Sequence, residues 1–275
     1  MELTPLQTPP RTAPVPRNVQ HVLIRANGPL FYSLASASLL EADMPLAADR
    51  LLHFFGGDQV LSKWLMAEWL PRKVARAGQL RNYVETTWPE FDWVSGHEHY
   101  QALGEAGGGG SLRRTGVHEA LARCVATAQG GIFYRSLARW AEDRRLRELA
   151  RAIAEEEALS FTHFRHLYDR RLRSQGLHCA AAWTTALGCV RAARDSQVPR
   201  AFNAITAQCA AQVPFPVIEY PEFLARMGAV IERHGNLGTP ERILFRTWKG
   251  RPRLRVDTAQ PRAPAKFNSI FKAAA

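Results

Sequence analysis

Lysine is scarce in this chain: Lys63, Lys73, Lys249, Lys266 and Lys272 are the only ones among 36 basic residues, and the rest are arginine. Such a bias, in a sequence rich in Ala and Gly, reads as a GC-rich coding origin. The basic residues are spread along the chain and do not alternate with aromatics in one stripe, so no nucleic-acid groove is expected. Cysteine is also sparse. Cys124, Cys179, Cys189 and Cys209 form no C-x-x-C pair, which excludes a disulfide scaffold or a zinc ribbon and reads as reduced, cytosolic thiols. No apolar run reaches the roughly 18 residues that a membrane-crossing helix needs. The first thirty residues are Pro-rich and lack the apolar core of a signal peptide. The chain is therefore expected to be soluble and cytoplasmic. Neither a G-x-S-x-G elbow nor a phosphate-binding loop is present, and Cys124 and Cys189 lie among apolar and small residues, giving nucleophilic catalysis little support.

What is present is enough apolar sequence, 46% of 275 residues, to build a sizeable core, which excludes a wholly disordered chain. The net charge of +11 is densest from Arg242 to Arg255 and on through Arg262, Lys266 and Lys272. That stretch reads as a solvated basic tail, with nucleic acid or an anionic surface as its alternative partner.

The periodicity is helical. Pro29 suits a helix start, and Leu30, Phe31, Leu34, Ala37, Ser38 and Glu41 follow at three- and four-residue steps. Pro45 should kink or divide this helix before a further apolar face at 46–55. Asp58 can cap a helix over about residues 60–84, with an interruption expected at Pro71. Trp88, Phe91 and Trp93 form an aromatic turn, expected to pack over helix ends. Gly107 to Gly110 lack the Lys-Ser/Thr of a phosphate cradle and read as a linker. Long helices are expected over 117–140 and, capped by Asp143, to about residue 173. Shorter ones are expected at 180–193, 201–213 and 222–234, with strand-like fragments at 242–248 and 254–256. This spacing predicts an all-α protein: a disordered arm at 1–28, a helical bundle at 29–175, added helices at 176–235 and a basic, partly extended tail at 236–275. Two long helices, a crossover through the glycine linker and two more long helices describe a four-helix bundle with one crossover.

The run Trp69-Leu70-Pro71-Arg72-Lys73-Val74-Ala75-Arg76-Ala77-Gly78-Gln79-Leu80-Arg81-Asn82-Tyr83 resembles the W-x-x-E-E-x-x-H-G-x-x-L-x-x-Y helix of ferritin-like di-iron proteins, the acyl-carrier-protein desaturases in particular. Ile153-Ala154-Glu155-Glu156-Glu157-Ala158-Leu159-Ser160 resembles their I-A-x-D-E-x-x-H helix, and Phe133-Tyr134-Arg135-Ser136-Leu137-Ala138 the end of their third helix. The resemblance covers about residues 30–173 and implies a ferritin-like four-helix bundle. It also implies a metal site of four carboxylates and two imidazoles. Carried over residue by residue, that set is dismantled. Lys73 stands at a Glu position, Arg76 at a His position, Thr127 at a Glu position and Ser160 at a His position; only Glu41 and Glu157 keep their carboxylates. Protonated Lys and Arg offer no lone pair to a metal, and inside a core they need carboxylate partners, for which Glu41 and Glu157 are the natural candidates.

No cofactor is expected on this reading, and the protein would act as a scaffold or interaction protein, through a protein partner or as a homodimer, or hold an apolar ligand. The alternative is an oxidoreductase that keeps iron or manganese on a shifted set drawn from Glu41, Glu68, Glu157 and His163. His166, one helical turn beyond His163, with His97, His99, His118 and Glu119, completes the stock of further ligand types. Glu155 and Glu156 read as a solvated helix face.

Overall fold

The computed structural model describes residues 17–106, 115–175, 184, 188, 197–209 and 213–235. Among these there is no strand, and no helix is long and apolar enough to cross a membrane. In chain order the helices are α1 (Arg17–Arg25), α2 (Gly28–Ala42), α3 (Met44–Phe55), α4 (Gln59–Trp64), α5 (Leu70–Thr87), α6 (Trp93–Ala106), α7 (Gly116–Trp140), α8 (Arg144–Gln175), α9 (Val198–Cys209) and α10 (Tyr220–His234). The segment expected to be a disordered arm is thus helical from Arg17, and residues 1–16 lie outside the described residues. So do the expected helix at 180–193, apart from two of its positions, the linker glycines, both strand-like fragments and the basic tail.

Helix starts follow local chemistry. The Asn27 side chain accepts from the Leu30 N–H, Asp58 from Leu61, Thr115 from His118, and Asp143 from Arg145 and Leu146, each satisfying an orphan donor of a first turn. Pro45 sits in the first turn of α3 and divides it from α2 at Asp43. Pro71 does not interrupt its helix. Residues Leu65–Trp69 form a π turn between α4 and α5, in which the Leu70 N–H reaches back five residues to the Leu65 carbonyl. That widening precedes the proline and accommodates its missing donor without breaking the rod.

Helix α2 packs along α5, and α7 along α8; α6 follows the first pair in the chain. Phe31 of α2 is fully buried, with the rings of Trp88 and Phe91 edge-on at 5.2 and 5.3 Å. The aromatic turn therefore closes over the helix ends. Next to it, Tyr32 stacks on Phe202 of α9 at 4.7 Å, and Phe202 in turn on Phe223 of α10. Arg200 of α9 ties this layer to α2 and α6, reaching Asp43 at 3.2 Å while its guanidinium lies over the Tyr100 ring at 3.9 Å. Burial raises the Tyr100 phenol to about 12, with Asp43 acting in the same direction.

The apolar core is in two parts. One contains Leu34, Leu39, Leu80, Val84, Leu137, Leu146 and Ile153 together with α9 and α10. The other contains Leu51, Phe55, Leu65, Trp69, Leu121, Val125, Phe164 and Leu167. Between them lies a layer of polar and charged residues.

Candidate functional site

Each helix contributes to that layer from within its apolar stripe. On α5 the buried positions run Lys73, Arg76, Leu80, Val84 and Thr87, a three-and-four spacing that places both cations among core positions. On α8, Glu157 and Ser160 fall between Ile153 and Phe164 in the same register. Glu41 ends the buried face of α2, and Thr127 lies in that of α7. All six positions singled out from the sequence, Glu41, Lys73, Arg76, Thr127, Glu157 and Ser160, are less than a tenth exposed.

Four of the six are joined. Lys73 Nζ donates to Glu157 Oε1 at 2.6 Å and sits 3.1 Å from Glu41 Oε2. Arg76 Nη1 donates to the same Glu157 oxygen at 2.8 Å, so one carboxylate oxygen is shared by both cations. The Arg76 Nε donates to Glu156, and Nη2 points to the Ile153 carbonyl at 3.5 Å. Tyr134 completes the layer from α7, its hydroxyl donating to Glu41 Oε1 at 3.4 Å. Burial acts to lower the Lys73 and Arg76 pKa values, but the facing Glu157 and Glu41 outweigh it and hold both cations above their ordinary values. Burial, reinforced by Glu41 and Glu157, also pushes the Tyr134 phenol well up.

The remaining two positions stand apart from the ion pairs. Thr127 Oγ1 donates back to the Arg123 and Cys124 carbonyls of its own helix. Ser160 borders a cavity of about 10 Å³, shared with Trp64, Trp69, Lys73 and Arg76, which is about the space one water needs.

The shifted metal set drawn from Glu41, Glu68, Glu157 and His163 is not brought together. Glu68 lies on the surface, paired with Arg72 at 3.0 Å. His163 lies flat on the Trp64 indole at 4.3 Å, and burial against it lowers the imidazole pKa. His97 stacks on Trp93, and His118 meets Thr115 within its own helix turn. Among the described residues no group of three or more His, Cys, Asp or Glu is placed to hold a metal ion. The donor set at the centre does not fit a dinuclear metal site either. The space between Glu41 and Glu157 holds an ammonium, and the positions on either side offer a guanidinium and two hydroxyls. Cys124 is buried, and its thiol is pushed up by desolvation, which disfavours the thiolate a nucleophile would need.

Glu156 departs from its expected place on a solvated face: its side chain is about a third exposed and pairs with Arg76. Sequence reasoning also passed over Gly130. A Cβ there would meet Glu157 Cδ at 3.3 Å and Cγ at 3.4 Å, so the glycine lets α8 bring its carboxylate against α7. The signal was available in a Gly-Gly pair in the middle of a long helix, where glycine costs about 1 kcal/mol relative to alanine. Because Lys73 and Arg76 hold Glu157 in place, Gly130→Ala is expected to lower stability by about 1–2 kcal/mol. At Gly78 a Cβ would enter open space, and Gly78→Ala is expected to raise stability by about 0.5–1 kcal/mol. Urea denaturation of the two variants distinguishes them; equal gains would show that Glu157 is free to move.

No protein-family model, curated protein or solved structure matches this chain.

Proposed function

We propose that the chain is a ferritin-like four-helix bundle with one crossover, formed by α2, α5, α7 and α8, whose metal position is taken by a fixed ion-pair layer. It works as a non-catalytic scaffold or interaction protein. The observation that carries this reading is Lys73 Nζ between the carboxylates of Glu41 and Glu157. An internal cation there supplies the positive charge that would otherwise come from metal ions, and it removes the lone pairs they would require. The apolar-ligand version has less support. The middle of these helices is a charged layer, and the cavity bordering it has room for about one water.

Elemental analysis of protein purified without chelators from iron-supplemented cells tests the reading. Metal-free, folded protein is the expected result. Stoichiometric iron or manganese would overturn it and favour the oxidoreductase, with oxygen consumption as the next assay.

A further inference from the structure

Helix α1 is fastened unequally along its length. At its C-terminal end the Arg25 carbonyl accepts from the indole N–H of Trp88, a fully buried side chain, at 3.0 Å. The Arg25 guanidinium pairs with Glu90, and Ile24 beside it is half-buried against the core. One turn earlier the hold is slighter. Gln20 donates to the Glu142 carbonyl at 3.0 Å in an exposed bond, and His21, Val22 and Leu23 are exposed. None of residues 20–25 is fully buried.

A helix of nine residues does not persist in water by itself, so α1 is helical because it is docked. Lifting its Gln20 end therefore means melting it. Segments held by exposed hydrogen bonds and few buried apolar groups open separately from the rest of a protein. The Arg25 end differs. Releasing it would strand the buried Trp88 N–H without its acceptor. Just beyond, Asn27 is committed to capping α2 through the Leu30 N–H. Residues 25–27 are thus a fixed pivot, and the part of α1 before them is a free arm.

That arm is one wall of a cleft. Gln20, His21 and Ile24 border a space of about 1140 Å³, whose other walls are α5, through Gln79, Asn82 and Tyr83, and the first turns of α8. The walls on α5 and α8 belong to helices of 18 and 32 residues that carry core side chains. The α1 wall alone rests on the Gln20 bond and one half-buried side chain.

We infer that α1 is a hinged strap across this cleft. It docks and melts separately from the bundle, turning about residues 25–27, and it closes its side of the cleft only while Gln20 is bonded to the Glu142 carbonyl. The inference is independent of the ion-pair layer and stands whether or not that layer has replaced a metal site.

The test is amide hydrogen exchange of the full chain at neutral pH, with and without urea well below the unfolding transition. The amides of residues 22–24 should exchange about a hundredfold or more faster than those of residues 34–37 in α2, and respond less to urea, because melting α1 exposes little surface. Gln20→Ala should speed the α1 amides about two- to tenfold. Val22→Ala, a better helix former at an exposed position, should slow them about twofold. Neither variant should change α2 exchange or the melting temperature. Equal exchange of α1 and α2 with one urea dependence would overturn the proposal, since the two would then open together. So would wild-type α1 amides exchanging at the rate of an unstructured chain, or α1 exchange that Gln20→Ala leaves unchanged.

Discussion

Replacing Lys73 with alanine is expected to remove about 3–5 kcal/mol of folding stability, seen as a fall in melting temperature of about 10 °C. The reason is what stays behind. Glu41 and Glu157 are both buried, and among the described residues Lys73 is the side chain that donates to both. Without it, Arg76 continues to serve Glu157, but among the described residues Glu41 keeps only the long bond from Tyr134. Exchanging Glu41, Lys73, Arg76 and Glu157 together for apolar residues of similar volume should cost far less and could stabilise, since no charge would then be stranded. The pH profile gives a second readout. Lys73 is held above its ordinary value in the folded protein, so its contribution is complete below about pH 10.4 and is lost as the pH rises through the folded pKa. The stability gap between wild type and Lys73→Met should therefore narrow in alkali. A Lys73→Ala loss below about 1 kcal/mol, within the range of an exposed pair, would show that the layer is wetter than its burial indicates.

The four long helices and their polar layer were legible because the deviant residues kept the register of the apolar stripes. A Lys or Glu every third or fourth place among Leu, Val and Phe must either be buried or break the helix, and burial demands a partner. The resemblance to the di-iron helices picked out these positions, and the need of a buried cation for a carboxylate then paired Lys73 and Arg76 with Glu41 and Glu157. Sequence reasoning failed where the local signal was weak or was overridden. Helix α6 carries Gly96 and four polar residues, Ser95, His97, Glu98 and His99, in its first two turns, and its stability comes from Trp93 and Tyr100 entering a core assembled from distant segments. Helix α1 follows a Pro-rich stretch, and none of its residues 20–25 is fully buried, so its short run reads as part of the arm. Pro71 looked like a break because sequence alone does not show that the preceding turn can open to a π turn. Glu156 was misjudged for a related reason: a guanidinium on a neighbouring helix reaches farther than an i, i+4 rule on one helix foresees.

The register that places these residues together also allows the ancestral reading to be tested by construction. The variant Lys73→Glu/Arg76→His/Thr127→Glu/Ser160→His would carry four carboxylates and two imidazoles at the six positions, the composition of a dinuclear metal site. All six are less than a tenth exposed, and Glu41, Lys73, Arg76 and Glu157 already touch one another, so the variant tests whether positions 127 and 160 reach the same centre. Without metal the variant should be markedly less stable than wild type, because four carboxylates facing one another repel and desolvate unpaired. Adding Mn²⁺ or Fe²⁺ should restore the melting temperature in proportion to the logarithm of free metal, with about two ions per chain by elemental analysis. A control that retains Thr127 should bind more weakly and lose the second ion, since the α7 carboxylate is then absent. If the full variant folds but takes up no metal, then Thr127 or Glu41 is off register by a turn, and the ion-pair layer is a feature of this fold in its own right and not a metal site's replacement.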